Sequence, residues 1–166
     1  MSRIESDFLG EREIPDDCYY GVQTLRGKDN FHITEMPMSQ EPFFIIAFGY
    51  VKKAAAMANK ELGTIPADVA DALIWACDQL IDGKYREQFV TDWLQGGAGT
   101  STNMNCNEVI CNLAAEKLGG VKGITNAFRQ TTMLILVSPP MIHIRQHYIW
   151  HYCCEAMYCL KLLNTS

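Results

Sequence analysis

Two helix-length runs of apolar residues, each closed by a glycine, constrain the fold of this chain more than any other feature. In the first, Ala47, Val51, Ala54, Ala55, Ala58 and Leu62 keep helical spacing, Lys52, Lys53, Lys60 and Glu61 mark a wetter side, and Gly63 supplies the stop. In the second, Pro66 opens the helix and Asp68 suits the positive end of its dipole. Val69, Leu73, Ala76, Cys77, Leu80 and Ile81 make its buried stripe before Gly83 closes it. A third run stops at Gly119-Gly120. The spacing predicts helices over residues 42–62, 66–82 and 104–118. Links this short make the helices packed neighbours. Residues 1 to about 40 read as turns and short extended pieces, punctuated by Asp16-Asp17 and Gly21. The expected fold class is mainly α.

The third helix is entered through Gln95-Gly96-Gly97-Ala98-Gly99-Thr100-Ser101-Thr102-Asn103-Met104-Asn105. Three glycines let a backbone approach a ligand closely. Thr100, Ser101, Thr102, Asn103 and Asn105 offer neutral donors and acceptors, and no cation is among them. Such a loop at a helix N-terminus favours a carboxylate. It is not a P-loop, because no Lys follows the last glycine, and it lacks the third glycine of a dinucleotide fingerprint. Read from residues alone, the stretch is an anion-binding turn or simply a glycine-rich helix entry.

Longer blocks decide more. In order, the chain carries Arg3-Ile4-Glu5, Leu9-Gly10, Arg12-Glu13, Pro15, Tyr19-Tyr20-Gly21-Val22, Thr24-Leu25-Arg26 and Asn30-Phe31. Then come Val51-Lys52-Lys53-Ala54-Ala55-Ala56-Met57-Ala58-Asn59-Lys60-Glu61-Leu62 and the glycine-rich loop. These blocks resemble the aspartase/fumarase superfamily, and within it the aspartases. Fumarases carry a Ser-Gly-Thr-Gln-Ser turn, where this chain has Gly97-Ala98-Gly99-Thr100-Ser101. The resemblance covers residues 3 to about 122 and implies the N-terminal domain of that fold, truncated before its central helical bundle.

The resemblance implies reversible elimination of ammonia from L-aspartate to give fumarate, with fumarase-type chemistry on malate as the alternative. The intermediate puts two negative charges on one carboxylate, which preorganised neutral donors stabilise. Thr100 matches the family's substrate-binding Thr, and Ser101 and Asn103 are further substrate-binding candidates that also suit a turn held by local hydrogen bonds. Arg26 matches an Arg near the substrate entrance, with a salt bridge holding the N-terminal segment as the other reading. The family's catalytic Ser and its substrate-carboxylate Lys lie far downstream, so no catalytic residue is assigned here. Family sites are built from three subunits of a homotetramer, so the chain holds one wall of a site. A fragment that only associates with full-length subunits is the non-catalytic alternative. Tyr19 and Tyr20 read as core packing and His32 as a surface residue.

After about Lys122 the resemblance stops. Shifting the reading frame of a back-translation lets residues 130–148 encode a peptide very like the family's next motif, with its Ser-Thr-Asn. Residues 123–166 are therefore expected to be out-of-frame translation, following loss of one nucleotide near Gly123, and to fit the body poorly. Under this reading the metal-like pattern of His143, His147, His151 and Cys153-Cys154 is incidental.

A net charge of -5 argues against nucleic acid or an anionic membrane as partner. Residues 1–10 are too polar for a signal peptide, and residues 133–137 too short for a membrane span. Seven irregularly spaced cysteines suit reduced thiols in a cytoplasm rather than a disulfide framework. Cys106 and Cys111 read as buried thiols, and neither a metal nor a cofactor is expected.

Overall fold

The computed structural model describes residues 1–123. The expectations for the tail lie outside them. The described chain is mainly α. A hairpin of β1 (Ser2–Asp7) and β2 (Gly10–Pro15) leads into α1 (Val22–Asn30), α2 (Pro42–Glu61), α3 (Ala67–Ile81) and α4 (Thr100–Lys117). The hairpin is antiparallel, in register from Ser2↔Pro15 to Asp7↔Gly10.

The helix stops fall where glycine predicts them, and for one reason. Gly63, Gly83 and Gly119 all take positive φ one residue past a helix cap. Thr64 N–H donates to Asn59 O at 3.1 Å and Gly63 N–H to Lys60 O at 3.1 Å. Lys84 to Gln79, Gly83 to Leu80, Gly120 to Ala115 and Gly119 to Glu116 repeat the pattern. This is the Schellman closure, which satisfies the last carbonyls of a helix.

The core lies where α2, α3 and α4 meet. Leu73, Ala76, Cys77 and Leu80 of α3 pack with Cys106, Val109, Ile110 and Leu113 of α4, and Ile45 and Ala56 come from α2. On α3 the predicted stripe is largely the buried one, although Val69 and Ile81 are only partly buried. On α2 it is not. Val51, Ala54, Ala58 and Leu62 are exposed, whereas Ile45, Gly49, Lys52 and Ala56 are buried. The first half of α2, residues 42–51, is apolar on every side, so periodicity there could not choose the inner face, and the wetter side assigned from Lys52 and Lys53 was misplaced. Gly49 lets α3 come close, since a Cβ there would lie 2.9 Å from Ile81 Cγ1 and 3.3 Å from Cys77 O, and Lys52 lies on that same buried face.

A short α1 was not predicted. Its sequence, VQTLRGKDN, shows no apolar stripe. Long-range polar contacts hold it instead. Every second residue of β1 (Arg3, Glu5, Asp7) faces inward, so the inner face of this strand is charged. Glu5 Oε2 accepts from Val22 N–H at 3.0 Å, and Asp7 accepts from Gln23 Nε2 at 2.8 Å. From α4, Glu108 accepts from the N–H groups of Gly21, Gln23 and Thr24 at 2.8, 2.9 and 3.0 Å. Thr24 Oγ1 adds a fourth bond to Glu108, at 2.6 Å. The N-cap position is Gly21, which has no cap side chain of its own. A Cβ there would lie 2.6 Å from Glu5 Oε2 and 2.8 Å from Glu108 Oε1. Glycine is thus what admits two carboxylates to one helix N-terminus.

Candidate active site

The glycine-rich loop ends in a 3-10 turn, Gly97–Gly99, that runs directly into α4. The helix begins at Thr100, four residues before the predicted start, so Thr100, Ser101 and Asn103 all stand on its first turn. Gly99, at φ +86, is the N-cap and brings no side chain. Gln95 does that work. Its Oε1 accepts from Thr102 N–H at 2.8 Å, and its Nε2 donates to Asp92 O at 3.0 Å and to Thr102 Oγ1.

The loop is anchored from behind by Asp92. Burial alone would raise this carboxyl. The Thr34 hydroxyl and the N–H groups of Thr34, Leu94 and Glu35 outweigh it and hold the group down at about 2. Asp92 therefore stays ionised and ties residues 33–35 to the strand-like entry of the loop.

The candidate residues divide by what they touch. Thr100 is exposed, and its Oγ1 donates to Gly97 O at 2.6 Å. That proton closes the turn, and the hydroxyl keeps its acceptor lone pairs. Releasing one exposed bond frees the donor for a ligand. Ser101 lies against α1. A Cβ on Gly27 would sit 3.0 Å from Ser101 Cβ and 3.2 Å from its Oγ, so a glycine in α1 makes room for this hydroxyl. Asn103 Oδ1 accepts from Lys52 Nζ at 2.8 Å. Two further donors of the stretch are consumed by structure. Buried Thr102 pairs with Thr91 and Gln95, and buried Asn105 bonds Gln88 O and Val90 N–H.

Arg26 stands apart from that turn. Its Nε and Nη2 grip the two oxygens of Asp7 at 2.7 Å each, and Nη2 also donates to Gly10 O at 3.0 Å. The pair lowers the Asp7 carboxyl and raises the Arg26 guanidinium. In this structure Arg26 is the clasp of the hairpin. Tyr19 packs edge-on to Tyr85 at 5.0 Å and donates to Glu116 at 2.7 Å, and His32 is exposed, as the sequence suggests for both.

Sequence reasoning missed Lys52, Glu108 and the polar stripe of α4. Asn105, Glu108 and Asn112 recur at helical spacing alongside the apolar Cys106, Val109, Ile110 and Leu113. They peg surrounding loops to the helix, Asn112 by bonds to Tyr19 O at 2.7 Å and Gly123 N–H at 2.9 Å. The signal was in the sequence, as a second stripe on a helix that was expected to have one. Cys106 is wholly buried, and burial pushes its thiol up to about 12.

Known proteins match both the sequence and the fold. A family model described as lyase matches residues 10–132, running past residue 122 where the block resemblance ends. The chain is 57% identical over 121 residues to aspartate ammonia-lyase of Helicobacter pylori strain J99, covering 73% of this chain and 26% of that protein. It is 54% identical over 122 residues to aspartate ammonia-lyase of Pseudomonas aeruginosa, covering 74% and 26%. Against aspartate ammonia-lyase of Escherichia coli K12 it is 56% identical over 122 residues, covering 73% and 26%. The chain thus spans about a quarter of the length of these relatives. Among solved structures, fumarate lyase:delta crystallin from Brucella melitensis in native form superposes with a TM-score of 0.77 at 47% identity, over 81% of this chain and 31% of that one. A class II fumarase from Schistosoma mansoni gives 0.66 at 33%, over 74% and 26%. With the family model covering most of the chain, and the fold matched as well, this chain belongs to the lyase family.

Proposed function

We propose that this chain is the N-terminal part of an aspartate ammonia-lyase and carries one wall of its active site. The observation that supports this most is identity of 54–57% to proteins of that name over the segment holding the glycine-rich loop. The reaction is reversible loss of ammonia from L-aspartate, giving fumarate. The substrate carboxylate lies over the first turn of α4, with Thr100, Ser101 and Asn103 as its neutral donors. Positive potential at the helix N-terminus favours the dianionic intermediate. Arg26 serves this site at most through the hairpin it clasps. The base and the second carboxylate's cation come from sequence outside residues 1–122. The working unit is a cytoplasmic homotetramer that needs no cofactor. It has no nucleic-acid or membrane partner. Among the described residues no helix is long and apolar enough to cross a membrane. The tail from about residue 123 is out-of-frame translation in which residues 130–148 cover the family's next motif, with the family model reaching residue 132 before the match ends.

The test restores one nucleotide near Gly123 and extends the chain to the length of its relatives. The extended protein should release fumarate from L-aspartate, whereas the 166-residue chain should show no turnover and should aggregate. Thr100→Val keeps the shape and removes the donor, which should lower kcat by about 10²–10³. Near-normal kcat/KM in that variant would reduce the loop to a structural turn. The structural likeness to a fumarase supports malate as the alternative substrate. Turnover of malate but not aspartate would establish it.

A further inference from the structure

Lys52 sits mid-way along α2 on its inner face, only 4% exposed. Among the described residues it forms no ion pair. Its ammonium donates to Asn103 Oδ1, a neutral amide oxygen. The thiols of Cys106, Cys77 and Cys111 lie close enough to interact with it electrostatically, and burial raises those of Cys106 and Cys77 away from the charged form. Burial also pushes the Lys52 amine down. A buried cation without a counter-charge is expensive, and an apolar side chain of the same length would suit this core better. The amide it touches gives the reason for keeping it.

An amide has a donor end and an acceptor end, whereas an ammonium only donates. Lys52 therefore holds Oδ1 of Asn103 inward, which turns Nδ2 outward. Nδ2 makes no hydrogen bond among the described residues, and it is not one of their buried unpartnered atoms, which are Arg12 Nε and Asn107 Oδ1. It is a solvent-facing donor on the first turn of α4, three residues from Thr100 and two from Ser101.

We infer that Lys52 is a positioning residue, whose buried ammonium orients Asn103 so that Nδ2 donates to a carboxylate of a dicarboxylic substrate bound at the first turn of α4. The same charge, placed behind a helix N-terminus, deepens the positive potential there. This inference rests on reading that turn as a dicarboxylate site.

The test uses the extended protein, with L-aspartate turnover and calorimetric binding of succinate, a dicarboxylate that cannot eliminate. Asn103→Asp is nearly isosteric and gives Lys52 a counter-charge, so the thermal midpoint should hold or rise. It also replaces the outward donor with a carboxylate oxygen, so succinate Kd and aspartate KM should rise at least about tenfold. Lys52→Met should show the same crossing, with stability held or raised and binding weakened. Lys52→Arg, which still donates, should recover part of the binding. A purely structural lysine would not separate the two readouts. Unchanged binding in Asn103→Asp, or loss of its fold, would overturn the inference while leaving the lyase reading intact. A parent protein that neither turns over aspartate nor binds succinate would sink the dicarboxylate site and the role of Lys52 with it.

Discussion

The two halves of the described structure are held together by different physics. The α2–α3–α4 core is apolar, close-packed and ended by glycine closures. The hairpin and α1 are joined to each other, and to α4, by carboxylates on backbone N–H groups and by Arg3 and Arg26. Arg3 donates to Cys18 O at 2.9 Å and Tyr20 O at 2.7 Å, and Arg26 clasps Asp7. The first kind of cohesion is set by side-chain volume and spreads over many contacts. The second is directional and rests on a few atoms, so losing one partner leaves several buried groups unsatisfied.

That contrast can be broken by mutation. The largest effect is expected in the core. Leu80→Ala removes a wholly buried side chain from the core shared by α2, α3 and α4 and should cost about 2–5 kcal/mol in urea denaturation. Next comes Glu108→Gln, which keeps the shape but turns an acceptor into a half-donor facing three N–H groups and a hydroxyl. A loss of about 1–3 kcal/mol is expected, with α1 amides losing hydrogen-exchange protection while α3 keeps its own. An equal loss of protection in α1 and α3 would mean that the two regions are one cooperative unit.

Acid should distinguish the halves more gently. Asp92 is held at about 2, below its ordinary 3.8, and Asp7 is also lowered. A carboxyl depressed in the folded state contributes its full stability above its ordinary value and loses it as pH falls through the folded one. Destabilisation is therefore expected as pH drops from about 4 towards 2, first in residues 33–35 and the hairpin, read from their amide shifts. Glu108 has the opposite sign, because burial raises it and the fold gains as it takes up a proton. The smallest effect belongs to the surface. Lys60→Ala breaks an exposed pair with Asp71 and should move stability by no more than about 0.5 kcal/mol.

The same contrast explains what was legible in the sequence. Helices α2 to α4 were visible because apolar spacing and glycine stops are local signals. The inner face of α2 was misread, because its first half is apolar on every side and its lysines were taken as a wetter side, which hid the burial of Lys52; α4 was given too late a start and its polar stripe was missed. The extended pieces of the hairpin were visible, but not their pairing, and α1 was not visible at all. The inward residues of β1 are Arg3, Glu5 and Asp7, a pattern that looks like solvent, and α1 owes its first turn to residues far away in sequence. At the candidate site, the loop and its hydroxyls were legible as chemistry. The spending of Thr102 and Asn105 on structure, and of Arg26 on Asp7, was not, because a hydrogen-bond partner is a three-dimensional fact.

The capping of α1 by Glu108 also bears on the order of assembly. Gly21 N–H and the Glu108 carboxylate that satisfies it are separated by 87 positions along the chain. On a ribosome, α1 emerges long before its cap exists, and nine residues without that cap are too short to persist as a helix in water. The contacts of α1 with Glu5 and Asp7 are available early, but those with Glu108 are made only after α4 has been synthesised. The first helix in the chain is therefore expected to gain its full cap late, and the wall of the site that it braces through Gly27 with it; α1 amides should be protected after those of α3 in pulsed hydrogen exchange during refolding.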